Sequence, residues 1–148
     1  MKKIEFISFT HSSPLYNESL MLRNQVLIES VGRSENCRDF DFPEKDIYIV
    51  GVLNDKIIAT AIMTPIDQTS VQMRQVAVLK KFQRQYIGSK IVKKFEDLAL
   101  KKGYAEIILH ARDTALKFYE SLDYKTEGDF FYEIDIPHIQ MRKRLNKV

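Results

Sequence analysis

The sequence predicts an α/β domain in which a mixed, mostly antiparallel sheet is flanked by helices. Segments rich in β-branched residues outnumber the helical segments, and two of them flank a turn at Asn54-Asp55. An amphipathic helical stretch separates a strand that ends near Leu79 from one that ends at His110, and such a helix usually connects parallel neighbours. At 148 residues the chain is long enough for one full hydrophobic core and short for two. We therefore expect a single domain over residues 1–148.

The first element is a strand over Lys3–Phe9, where the residues alternate in polarity. A helix should begin at Ser12 or Ser13, because a serine side chain can accept a hydrogen bond from the free N–H groups of a helix start. Its apolar face continues to about Val31, and Gly32 is expected to end it.

The polar, acidic segment 32–45 is expected to be a loop with room for one helical turn. Two strands follow, 46–53 and 56–63. The intervening residues Asn54-Asp55 both tolerate left-handed backbone angles, so these strands are predicted to form a hairpin. After a further turn, a third antiparallel strand is predicted over Val71–Leu79.

In the second half of the chain, a helix from Gly88 places its apolar residues on one face, and Gly103 fits the left-handed position after its end. A short buried strand, Ala105–His110, follows. A second helix carries Phe118-Tyr119, and Asp123 can adopt the left-handed cap that ends it. Two last strands are expected over Tyr124–Tyr132 and Ile136–Leu145.

The composition is typical of a globular protein, with 45% hydrophobic and 29% charged residues. No apolar run approaches the roughly eighteen residues of a membrane span, and the N-terminus lacks the features of a signal peptide. Cys37 is the only cysteine, which excludes an internal disulfide, favours a reducing compartment and leads us to expect a cytoplasmic protein. The acidic neighbours of Cys37 disfavour a thiolate, so a structural role is a better interpretation than a nucleophile.

The net charge of +3 is too small to indicate nucleic-acid binding, but its distribution is uneven. The basic cluster comprises Lys80, Lys81, Arg84, Lys90, Lys93 and Lys94. The acidic cluster comprises Glu35, Asp39, Asp41, Glu44 and Asp46. One region therefore suits an anion and another suits a cation. Glu96 and Asp97 interrupt the basic cluster, which makes a nucleic-acid partner the weaker interpretation.

The basic loop Lys80–Gly88 lies between a strand and a helix. A helix start offers unpaired N–H groups and the positive end of the helix dipole, so this arrangement favours a phosphate site. A solvated basic helix start is the plainer alternative.

Three segments stand out, which are the run Gln83-Arg84-Gln85-Tyr86-Ile87-Gly88, the segment Phe118–Tyr124 and the segment Glu133–Met141. Together they resemble motifs of the GNAT acyltransferase superfamily. The first is similar to the family's pyrophosphate loop, except that Tyr86 replaces an intermediate glycine. The segment Phe118–Tyr124 looks like the family's Phe-Tyr…Leu-Gly-Phe motif. The segment Glu133–Met141 looks like the Ile-Pro-His ending of the ElaA-like branch. These motifs occur in the family's order, and the resemblance covers nearly the whole chain.

The resemblance implies an N-acetyltransferase that moves an acetyl group from acetyl-CoA to a primary amine of a small molecule or peptide, by direct attack in a ternary complex. It implies that Tyr119 gives a proton to the departing thiolate, and that backbone groups hold the pyrophosphate and the pantetheine arm. The cofactor-binding residues implied in this way are Val76, Ala77, Val78, Gln83, Arg84, Gln85, Tyr86, Ile87, Gly88 and Ser89.

The general base is left open by the sequence. The predicted third strand offers Gln72, Arg74 and Gln75 but no carboxylate, so an amine could be deprotonated through water. Candidates for the base or the acceptor site are Glu29, Glu133, Asp135 and His138. Each has a plainer interpretation as a surface, turn or hydrogen-bonded structural residue. The acidic cluster could attract a cationic acceptor, although a solvated loop is the simpler interpretation.

A non-catalytic CoA-binding sensor or interaction module is the alternative function, because Tyr86 departs from the loop motif and the strand lacks a carboxylate. The spacing of His, Cys and carboxylate residues predicts no metal site. The sequence indicates neither a membrane nor a nucleic-acid partner, and it leaves open whether the chain forms a homodimer.

Overall fold

The computed structural model describes residues 3–145, in which seven strands form one mixed sheet in the order β1-β2-β3-β4-β5-β7-β6. The strands are β1 (Glu5–Thr10), β2 (Ile47–Leu53), β3 (Lys56–Pro65), β4 (Ser70–Val78), β5 (Glu106–Arg112), β6 (Lys125–Glu133) and β7 (Ile136–Arg144). The helices are α1 (Tyr16–Arg23), α2 (Ile87–Lys101) and α3 (Leu116–Ser121). Only β4 and β5 pair in parallel, and α2 connects them. The predicted fold class and element order are confirmed.

The first helical region is less regular than the sequence indicates. α1 begins at Tyr16, later than predicted, although the Oγ of Ser13 does accept a hydrogen bond from the N–H two residues along the chain, at 3.1 Å. The helix then widens into a π-helical segment, Asn24–Ile28, and tightens into a 3₁₀ turn, Glu29–Val31. Gly32 ends it with a φ of 73°. Such irregular turns often lie at functional sites, and this one contributes to a cavity described below.

Left-handed backbone angles occur where the sequence predicts turns. Asn54 (φ 52°) and Asp55 (φ 61°) connect β2 to β3. Gly103 (φ 93°) follows α2, and Asp123 (φ 72°) follows α3. The predicted hairpin and the two predicted helix ends are therefore confirmed.

Helices cover both faces of the sheet. α2 and α3 cover one face, whose core includes Met73, Ile91, Val92, Phe95, Ala99, Leu109, Tyr119 and Met141. α1 covers the other face, whose core includes Tyr16, Leu20, Leu22, Tyr48, Val50 and Ile62. Within the described range, every helix is too short or too polar to cross a membrane.

The acidic cluster is less negative than its sequence indicates, because part of it lies inside the protein. Asp41 accepts two hydrogen bonds from the buried guanidinium of Arg23, at 2.8 and 2.9 Å, and one from the Tyr16 hydroxyl at 2.5 Å. Asp46 is also buried and lies 3.6 Å from the guanidinium of Arg74. These two carboxylates neutralise internal cations, so the cluster offers a cationic acceptor little of the attraction that we expected.

Cys37 is completely buried in the core under α1. Burial raises the pKa of its thiol to about 11. The thiol is therefore protonated at neutral pH, which agrees with a structural role.

The sheet opens between β4 and β5. The two strands pair only over Ser70–Met73 and Glu106–Leu109, while β4 runs on to Val78 and β5 to Arg112. Each strand keeps its other neighbour, β3 or β7, so a cleft separates the two halves of the sheet.

Candidate active site

A cavity of about 1270 Å³ occupies the cleft between β4 and β5. Its walls come from β4, β5, the irregular end of the first helical region, the start of α2, α3 and the turn between β6 and β7. Single small-molecule ligands usually occupy roughly 300–1,000 Å³. This cavity is therefore large enough for an extended ligand together with a second, smaller one.

The start of α2 bounds one end of the cavity and carries free hydrogen-bond donors. The backbone N–H groups of Arg84–Ser89 have no hydrogen-bond partner among residues 3–145. The first bond of the helix runs from the N–H of Lys90 to the carbonyl oxygen of Tyr86, at 3.0 Å. Free N–H groups at the positive end of a helix dipole are suited to bind an anion, which is the role that the sequence predicts for this loop.

Tyr86 gives the loop a backbone conformation that glycine adopts most readily. Its φ is 63° and its ψ is 11°, and Arg84 also has a positive φ of 64°. A left-handed conformation costs a residue with a side chain about 1–2 kcal/mol. The Tyr86 side chain is 80% exposed, so the ring leaves the backbone amides accessible. Tyr86 therefore preserves the turn in the loop at an energetic cost.

Gly88 allows α2 to approach α3 closely. A Cβ atom at this position would lie 3.2 Å from Cζ of Phe118 and 4.0 Å from Cγ2 of Val78. The first distance is tighter than ordinary van der Waals contact, so a side chain at Gly88 would push the Phe118 ring aside. Close packing against Phe118 therefore explains why a glycine ends the predicted motif.

The free part of β4 forms a second wall with unpaired backbone groups. A β-bulge interrupts its pairing with β3 near Gln75, which has a φ of 55° and whose carbonyl accepts a hydrogen bond from the Thr60 hydroxyl at 3.2 Å. Beyond it, Val76–Val78 has no strand partner on the side of the cleft. The side-chain oxygen of Gln75 is buried without a partner among residues 3–145. An extended ligand could pair with this edge as an added strand would.

Tyr119 lies at the cavity wall on α3 and is 8% exposed. Its ring packs edge-on against Phe118 at 4.9 Å and against Tyr124 at 5.8 Å between centroids. Burial raises the pKa of the phenol, so it stays protonated at neutral pH. Because its hydroxyl has no hydrogen-bond partner in residues 3–145, it is free to donate to a ligand.

A histidine and a glutamate form a hydrogen-bonded pair at another wall of the cavity. Nδ1 of His110, on β5, lies 2.6 Å from Oε1 of Glu133, at the end of β6. This hydrogen bond raises the pKa of His110 and lowers that of Glu133. The Phe131 ring packs edge-on against the imidazole at 5.0 Å. The pair holds a titratable ring in a fixed orientation at the cavity surface.

His138, which the sequence predicts for the acceptor site, also lines the cavity. It is buried, and its Nδ1 lies 2.7 Å from the carbonyl oxygen of Ile136, which identifies Nδ1 as the protonated nitrogen. The Phe131 ring stacks on it at 6.1 Å. In the part of the chain that the structure describes, His, Cys, Asp and Glu residues form no group of three or more that could hold a metal ion.

Two arginines line this side of the cavity, and they differ in whether a carboxylate neutralises them. Arg112 donates a hydrogen bond to the carbonyl oxygen of Leu27 at 2.7 Å and has no carboxylate partner among residues 3–145. Burial lowers its pKa, although an arginine remains charged at neutral pH. Arg74 donates to the Thr64 hydroxyl at 3.2 Å and to the carbonyl of Phe40. Because Asp46 lies 3.6 Å from Arg74 and neutralises it, Arg112 is the arginine that adds positive charge to the acceptor side.

The predicted cofactor-binding residues divide into two groups. Those that line the cavity are Val76, Ala77, Val78, Gln83, Arg84, Tyr86, Gly88 and Ser89. The side chain of Gln85 is exposed outside the lining, and that of Ile87 is buried in the core. These two can contribute to a site only through their backbone N–H groups.

The acceptor-site candidates also divide. Glu133 lines the cavity, whereas Glu29 is exposed and lies outside the lining. Asp135 occupies the turn between β6 and β7, where its exposed carboxylate lies 3.2 Å from the guanidinium of Arg33. The structure thus brings Glu133 and His138 together and leaves Glu29 and Asp135 apart from them.

Sequence reasoning missed His110 and Arg112. The only available signal is the alternation along β5, where Ile107, Leu109 and Ala111 are buried and the residues between them face the other side of the sheet. That alternation puts His110 and Arg112 on one face. It does not show that the strand leaves its neighbour after Leu109, which is what exposes them to a cavity.

The prediction that Glu96 and Asp97 interrupt the basic cluster is confirmed for Asp97, whereas Glu96 lies mostly inside the protein. Glu96 is buried, and its Oε2 accepts hydrogen bonds from the Tyr124 hydroxyl at 2.9 Å and from Nζ of Lys143 at 3.0 Å. Asp97 is exposed and pairs with Lys93 at 3.1 Å. The loop before α2 therefore keeps most of its positive charge.

A comparison with protein families finds a match over most of the chain. The sequence model of the acetyltransferase (GNAT) domain matches residues 25–145.

Individual proteins agree with this match. The protein YyaT of Bacillus subtilis is 26% identical over 134 residues, which cover 88% of this chain and 90% of that protein. The crystal structure of ElaA from Escherichia coli has the same fold, with a TM-score of 0.81, 22% identity and coverage of 95% of this chain and 99% of that chain. A GNAT family acetyltransferase from Elizabethkingia anophelis, with acetyl-CoA bound, has a TM-score of 0.74, 18% identity and coverage of 96% and 98%.

Proposed function

Because the chain belongs to the acetyltransferase (GNAT) family, we propose that it transfers an acetyl group from acetyl-CoA to a primary amine of a small molecule or peptide. One observation carries this proposal. A single cavity connects the free N–H groups at the start of α2, the unpaired edge of β4 and the phenol of Tyr119. Since the family match covers residues 25–145 and the sheet includes strands from Glu5 to Arg144, we infer one domain for residues 1–148.

Two features support binding of the cofactor along this cavity. The N–H groups of Arg84–Ser89 are free to bind the pyrophosphate, and the exposed lysines Lys80 and Lys81 add a positive field around it. The unpaired edge of Val76–Val78 can accept the amide groups of the pantetheine arm as a neighbouring strand would. The acetyl-CoA-bound neighbour with the same fold makes this cofactor the first ligand to test.

The proposed reaction is direct attack in a ternary complex. The amine nitrogen forms a bond to the thioester carbonyl carbon while a backbone N–H near Val76 or Ala77 stabilises the developing oxyanion. The C–S bond then breaks, and Tyr119 gives a proton to the departing sulfur. Burial keeps the Tyr119 phenol protonated at neutral pH, so it carries a proton for the sulfur, although the raised pKa also makes it a weaker acid.

The test combines a binding and a turnover measurement on the purified protein. Isothermal titration with CoA should show saturable binding, and thiol release from acetyl-CoA should require an amine from a panel of polyamines, amino sugars and lysine peptides. Absence of CoA binding at millimolar concentration would overturn the proposal. Binding with no thiol release for any amine would instead favour the sensor or interaction module.

A further inference from the structure

The acceptor amine arrives mostly as an ammonium ion, so the proposed reaction needs a group that removes a proton from it. β4 offers Gln72, Arg74 and Gln75 to the cavity and no carboxylate. The walls opposite β4 carry His110, Glu133 and His138. A proton acceptor should therefore be sought among these three side chains.

We propose that His110 is the general base of the acetyl transfer and that Glu133 is the residue that positions it. The inference rests on the proposed function and identifies its missing proton acceptor. Nδ1 of His110 is held by Oε1 of Glu133 at 2.6 Å, which fixes this nitrogen as the proton donor of the pair. Nε2 is then the nitrogen with a lone pair for the incoming proton.

His110 lies where β4 and β5 separate. The last parallel pair of the sheet is Met73 with Leu109, so His110 is the first residue of β5 beyond the pairing. The free part of β4, where the thioester carbonyl is proposed to lie, begins at the same level. A base at this point would lie beside the proposed position of the thioester and the incoming amine, as proton transfer during attack requires.

His138 and Glu133 fit the role less well. Nδ1 of His138 donates to the carbonyl oxygen of Ile136, a neutral partner that adds less to the basicity of an imidazole than a carboxylate does. Glu133 accepts the hydrogen bond of His110, which stabilises its charged form and lowers its pKa. A carboxylate in that state is a weak base, whereas the same hydrogen bond makes the imidazole a stronger one.

The direction of the pH dependence follows from the groups around His110. Glu133 on β6 and the side chain of Gln140 on β7 raise the pKa of His110, while burial and the positive charge of Arg74 on β4 lower it, and the net shift is upward. His138 on β7 and Arg112 on β5 also face this region. Because the neutral imidazole is the active form, turnover should rise with pH through the His110 titration.

The proton balance of the step is complete. Nε2 of His110 takes a proton from the ammonium group, and the free amine attacks the thioester carbon. When the C–S bond breaks, Tyr119 protonates the sulfur, and the remaining extra proton on the new amide nitrogen returns to the Tyr119 oxygen. The proton on His110 leaves to solvent. The products are the acetylated amine, CoA and one proton.

The test is a pH–rate profile with the best amine of the panel. His110→Gln should lower kcat at neutral pH on the order of 10²-fold, remove the limb that rises with pH and leave CoA affinity unchanged. Glu133→Gln should keep the limb but move it to lower pH. An NMR titration provides a readout independent of activity, because the His110 ring should titrate at lower pH in Glu133→Gln than in the wild type. The resonance that is missing in His110→Gln identifies this ring among the three histidines.

The matched control is His11→Gln, because His11 packs on Tyr16 at 4.2 Å and lies outside the cavity lining. It should retain the wild-type profile. His138→Gln should retain the rising limb, and loss of that limb in this variant would overturn the assignment. If the wild type is active and His110→Gln is equally active, the inference about His110 is overturned and the proposed function is left intact. A wild type that releases no thiol with any amine would overturn both.

Discussion

In the proposed mechanism, proton donation to sulfur depends on the Tyr119 side chain. Tyr119→Phe removes one hydroxyl and keeps the ring packed against Phe118 and Tyr124. We expect kcat to fall on the order of 10²-fold with CoA affinity nearly unchanged, because the phenol acts when the C–S bond breaks. Steady-state thiol release and isothermal titration measure the two quantities. Tyr132→Phe is the control, since Tyr132 is 72% exposed on β6. Equal turnover in the two variants would remove Tyr119 from the mechanism.

The buried pair of Arg23 and Asp41 should matter for stability. Both side chains are almost completely buried, so Asp41→Asn leaves an uncompensated guanidinium inside the protein. We expect the free energy of unfolding to fall by about 3–5 kcal/mol. Urea denaturation measures it, and Asp39→Asn on the same segment is the control because Asp39 is exposed. A loss below about 1 kcal/mol in Asp41→Asn would contradict the expectation.

The same pair shows why the acidic cluster was misjudged from the sequence. Asp41 and Asp39 are two positions apart and chemically identical, yet one is buried and the other is exposed. The difference depends on Arg23, which lies on α1 and reaches Asp41 only in the folded chain. The sequence gives the number of charged residues, but only the tertiary contacts show which of these charges are accessible to a ligand.

Substitutions at Tyr86, in the loop before α2, can test whether the backbone conformation of this loop supports cofactor binding. Tyr86→Gly removes the steric cost of a side chain at a left-handed backbone conformation. This variant should keep its CoA affinity within about threefold of the wild type. Tyr86→Val places a β-branched residue at the same angle and should weaken CoA binding by about tenfold or more. Isothermal titration compares the variants, and thermal unfolding verifies that each is folded. If the Val and Gly variants bound CoA equally well, the left-handed backbone conformation at position 86 would not contribute to phosphate binding, and the prediction would be wrong.

Local sequence signals predicted the helices, strands and turns better than they predicted the cleft between β4 and β5. The hairpin at Asn54-Asp55 was predictable because both residues tolerate the backbone angles that they adopt. The bulge at Gln75 was not, because glutamine has no preference for a φ of 55°. The separation of β4 from β5 is equally invisible in the sequence, since it depends on how far two distant strands remain paired. The candidate phosphate loop was predictable from its motif, whereas His110 required the cleft.

The charge distribution of the whole protein should make CoA binding dependent on salt. The exposed side chains of Lys80, Lys81 and Arg84 lie in the loop that carries the proposed phosphate site, and the acidic cluster is partly neutralised in the interior. We expect the dissociation constant for CoA to rise by roughly tenfold between about 50 and 500 mM salt, because screening weakens attraction between exposed charges. Isothermal titration at several salt concentrations measures the effect. Pantetheine, which has no phosphate, is the control, and an equal dependence for both ligands would contradict the prediction.

The shortness of the parallel pairing has a kinetic consequence for a two-substrate reaction. Four residue pairs connect β4 to β5, so in the empty protein the two halves of the sheet have few direct bonds holding them at a fixed separation. A pantetheine arm lying in the gap would brace both halves, and only then would the base on one half and the thioester on the other keep a constant distance. If the proposed acetyl transfer is correct, we therefore expect an ordered sequence in which the acyl donor enters first and the amine second.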